Sequence, residues 1–183
     1  MAATTGDIYE RELKYVLSGD KKAIAQMIKT CNEDESRSYS MMLEDPFLVV
    51  RAAGSFGVDL VALRWDFSFP IEVKSSAEET MHFSRSQRLT EQAEKMKAAC
   101  CRSNLLPIYA FRLKSVRGDP WRIFTIPADG ELRGKSEVFR KIVPKMEITS
   151  NRNYIMRWGG GMKLSDFISY LSGDIVLEDI FEE

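Results

Sequence analysis

The strongest chemical signal in the chain is an aspartate, a glutamate and a lysine. Gly54-Ser55-Phe56-Gly57-Val58-Asp59 is followed by Ile71-Glu72-Val73-Lys74. Two carboxylates held together bind Mg2+ well, because this hard ion takes carboxylate oxygen and keeps several waters. An ion held there polarises a phosphodiester and lowers the pKa of an attacking water. A lysine beside it orients that water and neutralises charge developing in the transition state.

Spacing supports the grouping. Glu72 and Lys74 lie two apart in a β-rich run, so both side chains leave one face of a strand. A hairpin turning near residues 66–68 returns the chain and places Asp59 within about a couple of residues of level with Lys74. Acid-x-Lys occurs three times: Glu12-Leu13-Lys14, Asp20-Lys21-Lys22 and Glu72-Val73-Lys74. The first two fall in helical patterns, where positions i and i+2 do not share a face. The plain alternative is a surface hairpin with one cross-strand ion pair. Against it stand the apolar flanks of Asp59 (Val58, Leu60, Val61), since charges are rare in buried strands unless paired.

The elements that must hold these residues follow from periodicity and turn chemistry. Residues 7–18 predict a helix with Tyr9, Leu13, Val16 and Leu17 on one stripe. Asp20 is read as the N-cap of a second helix reaching about Cys31. Residues 32–40 are polar and read as a loop, with a helical turn over 41–44. Strands are predicted at 47–51, 58–65, 70–75, 105–113 and 121–126, with a small-residue loop over 52–57. Between the third and fourth strands, 84–103 is helical, with Leu89, Ala93 and Met96 inward. Further on come a helix at 135–143, a strand at 153–158, a flexible break at Gly159-Gly160-Gly161 and a helix at 164–171. His82 is read as a loop residue. The order implies an α/β fold with a mixed central β-sheet flanked by helices.

Composition bounds the remaining classes. The chain has 183 residues, 44% hydrophobic and 29% charged, as expected of one globular domain. The longest aliphatic run is too short to span a bilayer, and the first residues show no signal-peptide pattern. Three cysteines, two of them adjacent, make neither a disulfide framework nor a zinc knuckle and suit a reducing cytoplasm. The net charge of −1 is unevenly spread: residues 81–117 carry 8 basic and 2 acidic side chains, and residues 174–183 carry 5 acidic ones. Such asymmetry reads either as a solvated helix face or as a phosphate-binding surface on a neutral protein.

These blocks resemble the PD-(D/E)xK nuclease superfamily and, within it, the archaeal Holliday junction resolvase family. The likeness runs through Gly6-Asp7-Ile8-Tyr9-Glu10-Arg11-Glu12-Leu13, Val49-Val50-Arg51-Ala52-Ala53-Gly54-Ser55, Asp59-Leu60-Val61-Ala62 and Ile71-Glu72-Val73-Lys74-Ser75. It continues through Phe83-Ser84-Arg85-Ser86-Gln87 and Pro107-Ile108-Tyr109-Ala110-Phe111-Arg112. The resemblance implies a restriction-endonuclease-like core over 1–126, with a helical insertion at about 20–45. It leaves 127–183 as a C-terminal extension packed on the same domain, whose role it does not assign.

By position, the resemblance also implies Asp59 and Glu72 as Mg2+ ligands (Mn2+ as a substitute), with the Val73 carbonyl as a further ligand and Lys74 as the catalytic lysine. Glu10 would reach the metal directly or through water; its other reading is an ordinary first-turn glutamate favoured by the helix dipole. Ser55 would lie in the loop that meets the DNA backbone. Arg51, Arg85 and Arg88 are expected DNA contacts, with either Gln87 or Gln92 as the site glutamine.

The implied activity is Mg2+-dependent, structure-selective cleavage of four-way DNA junctions, by a C2 homodimer because two strands must be nicked. Two alternatives stand beside it: another nuclease of the superfamily, of restriction or repair type, and a non-catalytic DNA-binding or scaffold protein.

Overall fold

The computed structural model describes residues 5–52, 57–127 and 130–173, with Thr5, Gly6 and Arg85 described in backbone only. The helix α1 (Thr5–Leu17) is followed by α2 (Lys21–Met27), whose N-cap Asp20 accepts from the Ala23 amide. A third helix, α3 (Glu33–Met41), occupies the stretch read as a polar loop. Its start is an Asn32/Glu35 capping box, in which each side chain satisfies the other's backbone amide.

Then come β1 (Leu48–Arg51), β2 (Leu60–Leu63), β3 (Phe69–Ser76), β4 (Thr80–His82), α4 (Gln87–Ser103), β5 (Ile108–Leu113) and β6 (Trp121–Thr125). The chain continues through α5 (Lys135–Ile142), β7 (Glu147–Ile148), β8 (Tyr154–Arg157), β9 (Met162–Lys163) and α6 (Leu164–Ser172). Six strands form the central sheet in the order β1-β2-β3-β5-β6-β9, with β3 and β5 parallel and the other neighbours antiparallel. The fold is thus mixed α/β, with helices on both faces of a mixed sheet.

Alternation along the strands divides the core into two layers. Leu60, Ala62, Ile71, Val73, Ile108, Ala110 and Ile123 face α1, α2, α3, α5 and α6. Tyr109, Phe111, Phe124 and Ile126 face α4 and a small sheet of β4, β8 and β7. His82, read from sequence as a loop residue, lies in β4 opposite Ile155. The glycine run is likewise no loose break. Residues Trp158–Gly160 form a 3-10 turn, and a Cβ on Gly161 would lie 2.6 Å from the Phe124 ring. Trp158 stacks on the Arg122 guanidinium, 3.7 Å from ring centroid to carbon, and donates to the Pro120 carbonyl.

Two polar knots close the structure. Buried Asp119 accepts from the Tyr39 hydroxyl (2.8 Å), the Trp121 amide (2.9 Å) and the Ser165 amide (2.7 Å), joining α3, β6 and the first turn of α6. The Arg64 guanidinium donates to Asp66, Asp45 and the Leu171 carbonyl while stacking over Phe47. Its ion pair, with that of Lys135, holds the Asp66 carboxyl down at about 2 against the cost of burial. This second knot clamps the turn between β2 and β3, which decides how those strands align.

Asp119→Ala strands a buried hydroxyl and two amides without an acceptor. Unfolding in urea is therefore expected to show a loss of roughly 3–5 kcal/mol. A loss under 1 kcal/mol would show that the knot is not what joins the helices to the sheet.

Candidate metal and DNA site

The hairpin β2–β3 carries the site. β2 pairs with β3 from Leu60 opposite Ile71 to Ala62 opposite Phe69, and Asp59 stands one residue before β2. Its amide donates to the Ile71 carbonyl at 2.9 Å, and its Oδ2 accepts from the Val73 amide at 2.8 Å. The carboxylate thus takes the place of the next ladder acceptor, beyond the end of β2. A strand residue's N–H and C=O point the same way, so the Val73 carbonyl also faces this side.

Glu72 and Lys74, on the face covered by α4, meet through an ion pair between Lys74 Nζ and Glu72 Oε1. Glu72 is 2% exposed, and its Oε2 is buried with no hydrogen-bond partner. Burial pushes the Glu72 carboxyl up to about 7; Lys74 pulls against this, and the charge and hydrogen bonding of Asp59 reinforce it. Two adjacent carboxylates, one with an orphaned buried oxygen, suit a hard divalent cation that retains water. Such an ion would supply the positive charge that this burial otherwise leaves wanting. Among the described residues no group of three or more His, Cys, Asp or Glu could hold a metal, so Asp59 and Glu72 stand as a pair.

Other expected residues fall elsewhere. Glu10 projects from α1, on the sheet's opposite face, and its Oε2 accepts from Arg51 Nη2 at 2.6 Å. Arg51 also binds Asp7 at 2.6 Å, so its charge is matched by two carboxylates. Ser55 lies outside the described residues, as does the Arg85 side chain.

Gln87 is exposed at the start of α4, donating to Glu91, whereas Gln92 lies against the loop leading into Asp59. Gly57 there has φ +68°, and a Cβ on it would come 2.7 Å from the Gln92 carbonyl oxygen. Only glycine allows both the left-handed backbone and that approach. Arg88 is exposed on α4 together with Lys95 and Arg102. Successive spacings of seven set the three on one solvent-facing stripe about 21 Å long.

Sequence reading missed Tyr109. Its position on β5, level with Glu72 across the parallel β3–β5 pair, shows only once those strands are known to be neighbours. Burial and then the Glu72 charge hold its phenol well above the ordinary range, and its hydroxyl is buried without a partner.

No protein-family model matches the chain, and no curated protein sequence matches it significantly. Among solved structures, the fold matches that of Archaeoglobus fulgidus Hjc, a Holliday junction resolvase from an archaeal hyperthermophile. The match has a TM-score of 0.51 and 16% identity, and covers 91% of this chain and 97% of the other. The chain therefore shares that fold. Coverage of 91% exceeds what residues 1–126 could supply, so the likeness reaches into the stretch that sequence alone left as an unassigned extension.

Glu72 gives the metal-free protein a defined pH dependence. Its folded pKa of about 7 stands above the ordinary 4.5, so the folded state holds the proton more tightly. Stability attributable to Glu72 is full below about pH 4.5 and is lost as pH rises through about 7, by on the order of 3 kcal/mol. Urea unfolding in EDTA between pH 5 and 8 should show this fall, and Glu72→Gln should flatten it. An unchanged slope in the variant would remove Glu72 as its source.

Proposed function

We propose that this chain is a Mg2+-dependent, structure-selective DNA endonuclease acting on four-way junctions as a homodimer. The observation that carries the reading is the meeting of Asp59, Glu72 and Lys74 at one end of the β2–β3 hairpin, with an unsatisfied carboxylate oxygen between them. The fold shared with an archaeal junction resolvase supports the choice of substrate.

Asp59 and Glu72 would hold the cation, with the Val73 carbonyl beside them. When bound, the ion supplies Lewis-acid activation of water and of the scissile phosphate. Asp59 is fixed by the Val73 amide and needs no reorganisation to serve as a ligand. Lys74, paired with Glu72, stands ready to orient the attacking water and to offset charge growing on the phosphate oxygens. The stripe Arg88, Lys95 and Arg102 lies on the helix covering this same sheet face and would take backbone phosphates, positioning DNA without reading its sequence. Two nicks require two such sites, which is the reason for a symmetric dimer.

Cleavage of a labelled four-way junction, beside linear duplex of equal length, tests the reading. Wild type is expected to cut the junction with Mg2+ and not in EDTA, and Asp59→Asn and Glu72→Gln to lose at least 100-fold in rate. Variants that still cut would remove this site. Equal cutting of duplex would retain the nuclease and discard junction selectivity, while tight metal-independent binding without cleavage would leave a scaffold.

The stripe has its own test. Replacing Arg88, Lys95 and Arg102 together by alanine should reduce the slope of log affinity against log salt by up to about three. An unchanged slope would place the phosphates on another face.

A further inference from the structure

We propose that Tyr109 is a positioning residue for Glu72, its hydroxyl reaching the glutamate through a bridging water and restraining the direction in which the carboxylate would meet a metal. The inference rests on the metal-site reading above. Among the described residues four side-chain polar atoms are buried without a hydrogen-bond partner, and two of them, Glu72 Oε2 and the Tyr109 hydroxyl, belong to this one spot. Glu72 and Tyr109 are direct neighbours in the parallel register of β3 and β5, and both side chains enter the layer under α4. One group is an acceptor when ionised and the other a donor, so each is what the other lacks.

Burying either without a partner is costly, and two such costs side by side need a reason. The surrounding layer shows that bulk is not that reason. Phe83, Phe111 and Phe124 fill neighbouring positions without any hydroxyl, and the hydroxyl of Tyr154 donates to Glu94 at 3.1 Å. A phenylalanine at 109 would satisfy the packing equally well.

No direct hydrogen bond joins the two atoms here, and the proposed contact is one that a bridging water would carry. Lys74 takes Oε1, which leaves Oε2 as the oxygen that would serve both the Tyr109 donor and a cation. The Tyr109 ring is braced edge-on by Phe83, with centroids 6.0 Å apart, which fixes where the phenol oxygen sits. Partners of this kind set ligand orientation, and their loss commonly weakens metal binding 10–100-fold.

The test is Tyr109→Phe, with Mg2+ alone titrated by calorimetry and by thermal shift, beside wild type and Asp59→Asn. The variant is expected to bind Mg2+ about tenfold or more weakly than wild type, while its melting temperature in EDTA stays the same or rises. Unchanged Mg2+ affinity would overturn the inference. So would a loss of stability in EDTA as large as that in Mg2+, since this marks a packing role. If wild type shows no Mg2+ binding that Asp59→Asn removes, the metal site itself falls and this inference with it. If wild type binds and Tyr109→Phe matches it, only the role of Tyr109 falls.

Discussion

The hydrogen bond from the Val73 amide to Asp59 Oδ2 is the contact on which the site depends. It ends the β2–β3 ladder with a side chain instead of a backbone carbonyl, and so converts strand register into carboxylate position. A one-residue slip between the strands would exchange the two faces of the sheet at Glu72 and Lys74. The slip is resisted from the other end of the hairpin, where buried Arg64 ties the turn to Asp66, Asp45 and the end of α6. A knot far from the carboxylates thereby sets their alignment.

Electrostatics at the site run against stability, which is informative. Glu72 is buried beside another carboxylate, and one lysine does not offset the cost, so its pKa rises. The contrast with Asp66 is direct: two cations reach that carboxyl and its pKa falls despite burial. Strain that the fold relieves at Asp66 with a second cation, but leaves standing at Glu72, is what the metal-site proposal accounts for. Under the proposed function, a divalent cation would supply that charge.

Much of this was readable from residues. The helical stripe of α1, the Asp20 cap, the hairpin and the Glu72-Val73-Lys74 face all follow from local period and turn chemistry. What escaped depends on partners distant in sequence. The inward face of α3 is Glu35, Ser38 and Tyr39, so apolar periodicity could not reveal it; Lys163, Ser169 and Asp119 satisfy those groups. The Asn32/Glu35 capping box was a local signal available to correct the loop reading. The strand β9 is two residues long and exists only because β6 lies beside it. The partnership of Glu10 with Arg51 is a contact between a helix and an edge strand 41 positions away, with no trace in either segment.

Charge placement carries the same lesson to function. A net charge of −1 speaks against a general affinity for nucleic acid, yet α4 presents Arg88, Lys95 and Arg102 along a single line. Three cations over about 21 Å match a few phosphates of one strand better than the broad face of a long duplex. Arg51, matched by Asp7 and Glu10, adds little to that attraction. A surface so narrow would bind continuous duplex weakly, because phosphate contacts would be few and salt competes for each one. In the proposed dimer, discrimination would then fall to shape: DNA that brings a second strand toward the partner copy of the same stripe would gain contacts that linear duplex cannot make at once. On the proposed function, near-neutrality and selectivity for branched DNA would be one property, since added basic charge would raise affinity for every duplex and erase the difference.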